Sequence, residues 1–275
     1  VLFTCMVGLI VAPNNVSYLN FVLSLIAVAL GAGAAGTLNM WYESDLDALM
    51  TRTCLRPIPT GQVTKNQALF FGILLSVGSI TLLYFSSNLM SASLLLLTIC
   101  FYFFIYTVWL KRRTPQNIVI GGAAGALPPV IGWTIATGSL SLEPLILFLI
   151  IFLWTPSHFW ALSIYKSNDY KKAKIPMLPI IYGIEKTKKN IFIYSLLMLP
   201  TISAPYFTSF LSEIYFYPAL ALTIYYIYLC GTLLKVKKST EVNTLARKIF
   251  LYSIFYLFII FLLILSDHFF TRFYG

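Results

Sequence analysis

The chain reads as a series of long, continuously apolar runs separated by short polar loops. About 20 apolar residues are needed for a helix to cross the hydrocarbon core of a bilayer. On that measure the predicted spans are 1–12, 18–38, 68–86, 91–110, 118–136, 142–164, 191–210, 214–234 and 249–266. The runs do not alternate polar and apolar positions, as the roughly ten-residue strands of a membrane barrel do. The expected fold class is an all-α membrane protein, a polytopic bundle of about nine transmembrane helices forming one domain over 1–275. The chain opens at Val1, without Met and already inside an apolar run, so a preceding segment is expected.

Charge sharpens this picture. Only 10% of residues are charged and 59% are hydrophobic, against about 25% charged in soluble domains. The net charge of +10 raises nucleic-acid binding as a function, and its distribution argues against it. Arg52, Arg56 and Lys65 follow the second span, and Lys111, Arg112 and Arg113 follow the fourth. Seven lysines from Lys166 to Lys189 follow the sixth, and five basic residues from Lys235 to Lys248 follow the eighth. The alternate loops carry none, and Arg272 lies near the C-terminus. This is the positive-inside pattern. It places the basic loops on the cytoplasmic side of a bacterial inner membrane, or the matrix side of a mitochondrial one. These cations anchor helices in a lipid bilayer, and no nucleic-acid partner is expected. Cys5, Cys54, Cys100 and Cys230 have no paired spacing, so no metal knuckle or redox pair is expected.

The nine acidic residues are unevenly placed. Glu43, Asp45 and Asp47 crowd the end of the second span, and Asp169 begins the loop after the sixth. Asn39, Glu43 and Asp47 stand at i, i+4 and i+8, one face of a helix that continues through them. Oxygen ligands on one stripe suit Mg²⁺, which keeps waters and takes phosphate oxygens as well. Arg52 and Arg56 follow at once, and metal with guanidinium is the chemistry that holds a diphosphate. A solvated helix cap and a carboxylate-lined ion pathway are the competing readings of the same spacing.

These residues carry a resemblance. Asn39-Met-Trp-Tyr-Glu43-Ser-Asp45-Leu-Asp47, then Arg52-Thr53 and Arg56-Pro57, resembles the first aspartate-rich motif of the UbiA superfamily of intramembrane prenyltransferases. Lys111-Arg-Arg-Thr-Pro-Gln-Asn117, with the run ending at Pro128-Pro129, agrees with the branch that farnesylates heme. So does Trp154-Thr-Pro-Ser-His158-Phe-Trp-Ala-Leu162, followed by Tyr165-Lys166 and Asp169-Tyr170. The chain departs from the superfamily in having Glu43 where Asp is usual. Asp169 also stands alone, with Tyr165 four residues before it, where two acids are usual.

The resemblance implies transfer of farnesyl from farnesyl diphosphate to a vinyl group of heme b. Asn39, Glu43, Asp47 and Asp169 are then the catalytic metal ligands, holding Mg²⁺. Arg52, Arg56, Lys111, Arg112 and Lys166 cradle the diphosphate, with Tyr165 and His158 on the substrates. A heme A synthase or terminal-oxidase assembly proteins are the implied consumers of the product. His158 has three open roles: axial ligand to heme iron, proton shuttle, or packed core histidine. His268 reads as a surface residue. The glycine-rich runs 31–36 and 121–126 predict close helix approach, and they also leave room for a macrocycle. A quinone-precursor or chlorophyll-like acceptor is the nearest alternative. A secondary transporter and a heme carrier without chemistry are more distant ones.

Overall fold

The computed structural model describes residues 1–274, with side chains through Arg272, and the regular structure among them is helical. The helices are α1 (Leu2–Ile10), α2 (Tyr18–Tyr42), α3 (Ser44–Asp47), α4 (Lys65–Ser86), α5 (Leu89–Cys100), α6 (Asn117–Ala126) and α7 (Pro128–Thr137). They continue as α8 (Leu142–Tyr165), α9 (Ser167–Lys172), α10 (Leu178–Ile181), α11 (Gly183–Phe207), α12 (Glu213–Lys235) and α13 (Ser239–Tyr274). Among the described residues, eight segments are long and apolar enough to cross a membrane, counting α5 with its continuation and α6 with α7 as one each. The expected ninth, 1–12, is the nine-residue helix α1. The expected span 118–136 is divided at Leu127, because Pro128 and Pro129 cannot continue the hydrogen-bond ladder and instead open α7.

Two compact units make up the chain. The first comprises residues 1–140 and 168–176. There α2 lies along α4, and α1 lies on α7. That last contact is backbone to backbone: a Cβ on Gly8 would fall 2.1 Å from the Pro129 carbonyl oxygen, and one on Gly132 1.9 Å from that of Cys5. The core gathers Leu9, Val28, Leu83, Leu95, Phe103 and Ile131. Helix starts carry the caps that orphan N–H groups require. Ser17 and Asn88 accept from Asn20 and Ser91, and Thr64 and Gln67 form a reciprocal capping box. The outer face of α4 exposes Phe70, Phe71, Ile73, Leu74 and Val77, an apolar strip suited to lipid rather than water.

After Cys100 the backbone changes to a ten-residue π-helical segment, Phe101–Leu110. Such turns are uncommon and recur at functional sites. The wider turn sets the rotational phase of the residues that reach the polar end of α2.

The second unit comprises residues 141–167 and 177–275. Here α8 packs on α11 and α13, and α12 packs on both of those. Trp160, Tyr226, Tyr256 and Phe261 fill its interior; the Tyr226 and Tyr256 hydroxyls are satisfied, while the Trp160 Nε1 is buried without a hydrogen-bond partner. Ser157 bonds Tyr226 at 2.8 Å, and Thr223 bonds Tyr256 at 2.9 Å. Lys188 is 1% exposed and was expected as a loop anchor. Instead it donates to the Val236 carbonyl at 2.7 Å and to Glu185 at 2.6 Å, capping the C-terminal end of α12.

Candidate active site

The acidic stripe is assembled, with one change from the expected helix. Helix α2 ends at Tyr42, and Glu43 has φ −98° and ψ 13°, so the α-helix breaks there before α3 resumes. The i→i+4 bonds survive the break: Glu43 N–H donates to Asn39 O at 2.9 Å, and Asp47 N–H to Glu43 O at 2.8 Å. Asn39, Glu43 and Asp47 are therefore still neighbours, and all three are buried.

Their side chains form a linked polar cluster. Asn39 Nδ2 donates to Glu43 Oε2 at 2.7 Å and to Thr107 Oγ1 at 3.1 Å. Thr107 in turn donates to the Tyr102 carbonyl at 2.9 Å, within the π-helical segment. Lys111 Nζ pairs with the same Glu43 oxygen. Arg56 Nη1 pairs with Asp47 Oδ2 at 2.7 Å. Ion pairs this deep contribute little net stability, because desolvation offsets the attraction. Their presence is better explained by use than by folding.

One atom is left out. Glu43 Oε1 is buried and has no hydrogen-bond partner. An unsatisfied buried acceptor costs about 1–3 kcal/mol, more when charged. Its lone pairs fit a cation. Asn39 commits its amide nitrogen to two bonds, which leaves its carbonyl oxygen for the same purpose. No three His, Cys, Asp or Glu side chains converge into a metal cage among the described residues. Mg²⁺ does not require one: it is commonly held by one or two carboxylates, with waters and substrate phosphates completing the octahedron.

The remaining expected residues of the first unit flank this cluster. Arg112 grips Asp45 with two bonds, at 3.0 and 2.8 Å. Burial pushes the Asp45 carboxyl up, but the Arg112 hydrogen bonds and charge outweigh it and hold the group below the ordinary carboxylate range. The same hydrogen bond raises the Arg112 guanidinium. Asp169 Oδ2 accepts from Thr51 Oγ1 at 2.7 Å, tying the 168–176 segment to the loop after α3. Beside it, burial holds the Tyr170 phenol above its ordinary range, only partly opposed by the charges of Arg52 and Lys111. Arg52 is exposed and makes no ion pair among the described residues.

His158, Tyr165 and Lys166 lie in the second unit. The His158 ring is stacked between Trp154 at 4.2 Å and Phe250 at 4.7 Å. Its Nδ1 bonds Ser253 Oγ at 2.7 Å, and that hydroxyl donates to the Phe250 carbonyl at 2.6 Å. With its proton committed, Ser253 can only accept from Nδ1–H, which fixes the tautomer and leaves Nε2 as a bare lone pair. Lys166 Nζ stands 5.1 Å over the Tyr165 ring, which itself packs near Phe250 at 6.4 Å. His268, expected at the surface, is half-buried, with Nε2 buried and unpartnered.

Thr107, Thr51 and Ser253 were not singled out from sequence, and Tyr170 stood within its motif without a role. Thr107 had one available signal, a lone hydroxyl in the aromatic run 101–110. Thr51 and Ser253 had none, since they meet their partners across 118 and 95 residues of chain.

Comparison with known proteins places the arrangement in a family. The UbiA prenyltransferase family profile matches residues 1–266. A curated relative from Pelagibacter ubique, named protoheme IX farnesyltransferase, is 64% identical over 97% of this chain and 88% of its own. Among solved structures, one of a digeranylgeranylglyceryl phosphate synthase has a TM-score of 0.81 at 20% identity, covering 97% of this chain and 92% of that one. A UbiA homolog from Archaeoglobus fulgidus, bound to DMAPP and Mg²⁺, has a TM-score of 0.69 at 17% identity, covering 94% of each chain. The structural neighbours establish the fold, and the sequence matches extend over nearly every residue. The chain belongs to the UbiA prenyltransferase family.

Proposed function

We propose that this chain transfers the farnesyl group of farnesyl diphosphate to a vinyl group of heme b, releasing diphosphate and giving heme O. The observation that carries the donor half is the unpartnered Glu43 oxygen, set among Asn39, Asp47 and two paired cations. The acceptor follows the name of the Pelagibacter ubique relative.

The cluster suits an exchange of counterions. Glu43 and Asp47, with the Asn39 oxygen, would hold Mg²⁺, and Asp169 would contribute from the 168–176 segment. When bound, Mg²⁺ neutralises diphosphate oxygens and makes diphosphate a better leaving group. With the carboxylates committed to the metal, Lys111 and Arg56 would be free to turn to the substrate's phosphate oxygens. Arg52, already unpaired, joins them, and Arg112 extends the cradle. Cations fixed where negative charge grows, as the C1–O bond lengthens, stabilise the transition state more than the ground state. The diphosphate departs with the bonding electron pair. The vinyl π electrons then bond to the allylic carbon, and water captures the resulting cation with loss of a proton. Within the second unit, His158, its Nε2 bared by Ser253, would hold the heme, with Tyr165 near it across Phe250. The positive-inside pattern of the basic loops supports chemistry at the cytoplasmic face of a bacterial inner membrane, or at the matrix face of a mitochondrial one.

The test supplies purified protein with heme b, farnesyl diphosphate and Mg²⁺, and follows product by mass spectrometry. Farnesylated heme, dependent on Mg²⁺, is expected. Prenylation of 4-hydroxybenzoate but not heme would assign the quinone-precursor chemistry instead.

A further inference from the structure

Within the second unit, Trp154, His158 and Tyr165 stand at i, i+4 and i+11 on one face of α8. Phe250 of α13 packs along that face, stacked on His158 at 4.7 Å and 6.4 Å from Tyr165. Ser253 holds the imidazole at Nδ1, so Nε2 is the atom offered to a ligand. Lys166 caps the same helix, and its Nζ stands 5.1 Å over the Tyr165 ring.

The lysines of this unit differ in their partners. Lys188 is buried between Glu185 and the Val236 carbonyl, and Lys238 pairs with Glu241 at 3.4 Å. Glu185 and Glu241 are thereby taken. Lys166 is half-buried, and its ammonium has no hydrogen bond or ion pair among the described residues. The face of the Tyr165 ring attracts that charge and holds it in place, but leaves its three N–H donors unspent. A cation fixed in this way, at the end of the face that carries His158, suits an anion that arrives with the ligand of His158.

Heme has such an anion. Its iron takes an imidazole nitrogen, and its two propionates, on the edge opposite the vinyl groups, are ionised at neutral pH. The helix rises about 12 Å from His158 to Lys166, a span that the macrocycle's radius, a propionate arm and the lysine stem cover together.

We propose that Lys166 binds a propionate of the heme acceptor and so fixes the rotation of the macrocycle about its His158 contact. The proposal rests on the heme reading of His158 and adds to it the group that recognises the substrate's carboxylates. Lys166, expected from sequence on the diphosphate, serves the acceptor in this assignment. Held by that edge, the heme directs its vinyl groups away from Lys166.

The experiment titrates heme b and its dimethyl ester, read by heme absorbance, into the parent protein and into Lys166→Met, Lys166→Arg and Lys186→Met. Esterification removes the propionate charge and leaves the iron, macrocycle and vinyl groups unchanged. Comparing the acid-to-ester affinity ratio between proteins cancels the ester's own partitioning into detergent. A hydrogen bond to a charged group contributes roughly tenfold or more in affinity. The ratio is expected to fall by about that factor in Lys166→Met and to be kept in Lys166→Arg. Lys186 stands 4.1 Å over Tyr182 and reports any general loss of positive charge; its variant is expected to keep the parent ratio. Lys166→Gln reads the same ratio if Lys166→Met does not fold. An unchanged ratio in the neutral Lys166 variants, an equal fall in Lys166→Arg, or an equal fall in Lys186→Met overturns the proposal and leaves the heme reading standing. Absence of saturable binding of either heme by the parent protein overturns that reading and the proposal together.

Discussion

Two carboxylates in this chain, Glu43 and Asp267, are each 1% exposed, and they are held in opposite ways. Asp267 receives four hydrogen bonds, from the Ser212 N–H to both oxygens, the Ser212 hydroxyl and the Tyr215 N–H. It caps the start of α12 from a neighbouring helix, and both its oxygens are committed. Glu43 has one oxygen shared by an amide and an ammonium, and the other bonded to nothing. Equal burial thus conceals different purposes. A carboxylate that finishes a helix end is saturated by backbone and hydroxyl donors. One kept for a ligand retains open coordination and leans on cations that can let go.

That contrast is open to direct test. The largest effect is expected for Asp47→Ala, which removes a proposed metal ligand and leaves Arg56 without its buried partner. Turnover per folded molecule should vanish, and near-native activity at ordinary magnesium would contradict the metal role. Next comes Glu43→Gln, which should cost about 100-fold or more in kcat. Glu43→Asp should be tolerated far better, because charge matters here more than reach; equal loss in both would point to a purely geometric role. Asp267→Asn should show the reverse pattern. Losing charge-assisted hydrogen bonds should destabilise by about 2–3 kcal/mol in a denaturation series, with activity per folded molecule unchanged.

The smallest effect belongs to the exposed pair Asp45–Arg112. The folded carboxyl lies below its ordinary value, so the pair's contribution is complete above the unfolded aspartate value of about 3.9 and fades only as pH falls through the lower folded one. Asp45→Asn should therefore leave stability at neutral pH almost unchanged and flatten its acid limb, as thermal melts across pH would record.

Much of this was legible in the sequence because it is local or periodic. Twenty-residue apolar runs and the alternation of basic loops give the spans, since the bilayer imposes one length and one charge asymmetry on every helix. The i, i+4, i+8 spacing of Asn39, Glu43 and Asp47 gave the stripe, and it withstood the helix break at Glu43 because the hydrogen-bond register did. Partner choice was not legible. Lys111 and Asn39 reach Glu43 and Thr107 across 68 residues of chain, and no local pattern encodes such a pairing. The π-helical segment was equally hidden, because an apolar aromatic run fits either helix type. Lys188 looked like the other lysines of its loop, yet it is buried against the end of α12.

The central claim is that the open oxygen of Glu43 waits for a metal that carries the diphosphate. Equilibrium binding of farnesyl diphosphate, with and without Mg²⁺, tests it without requiring turnover. Tight binding that depends on Mg²⁺ is predicted for the parent protein, and loss of that dependence for folded Glu43→Gln. Identical magnesium dependence in the two proteins would contradict the account.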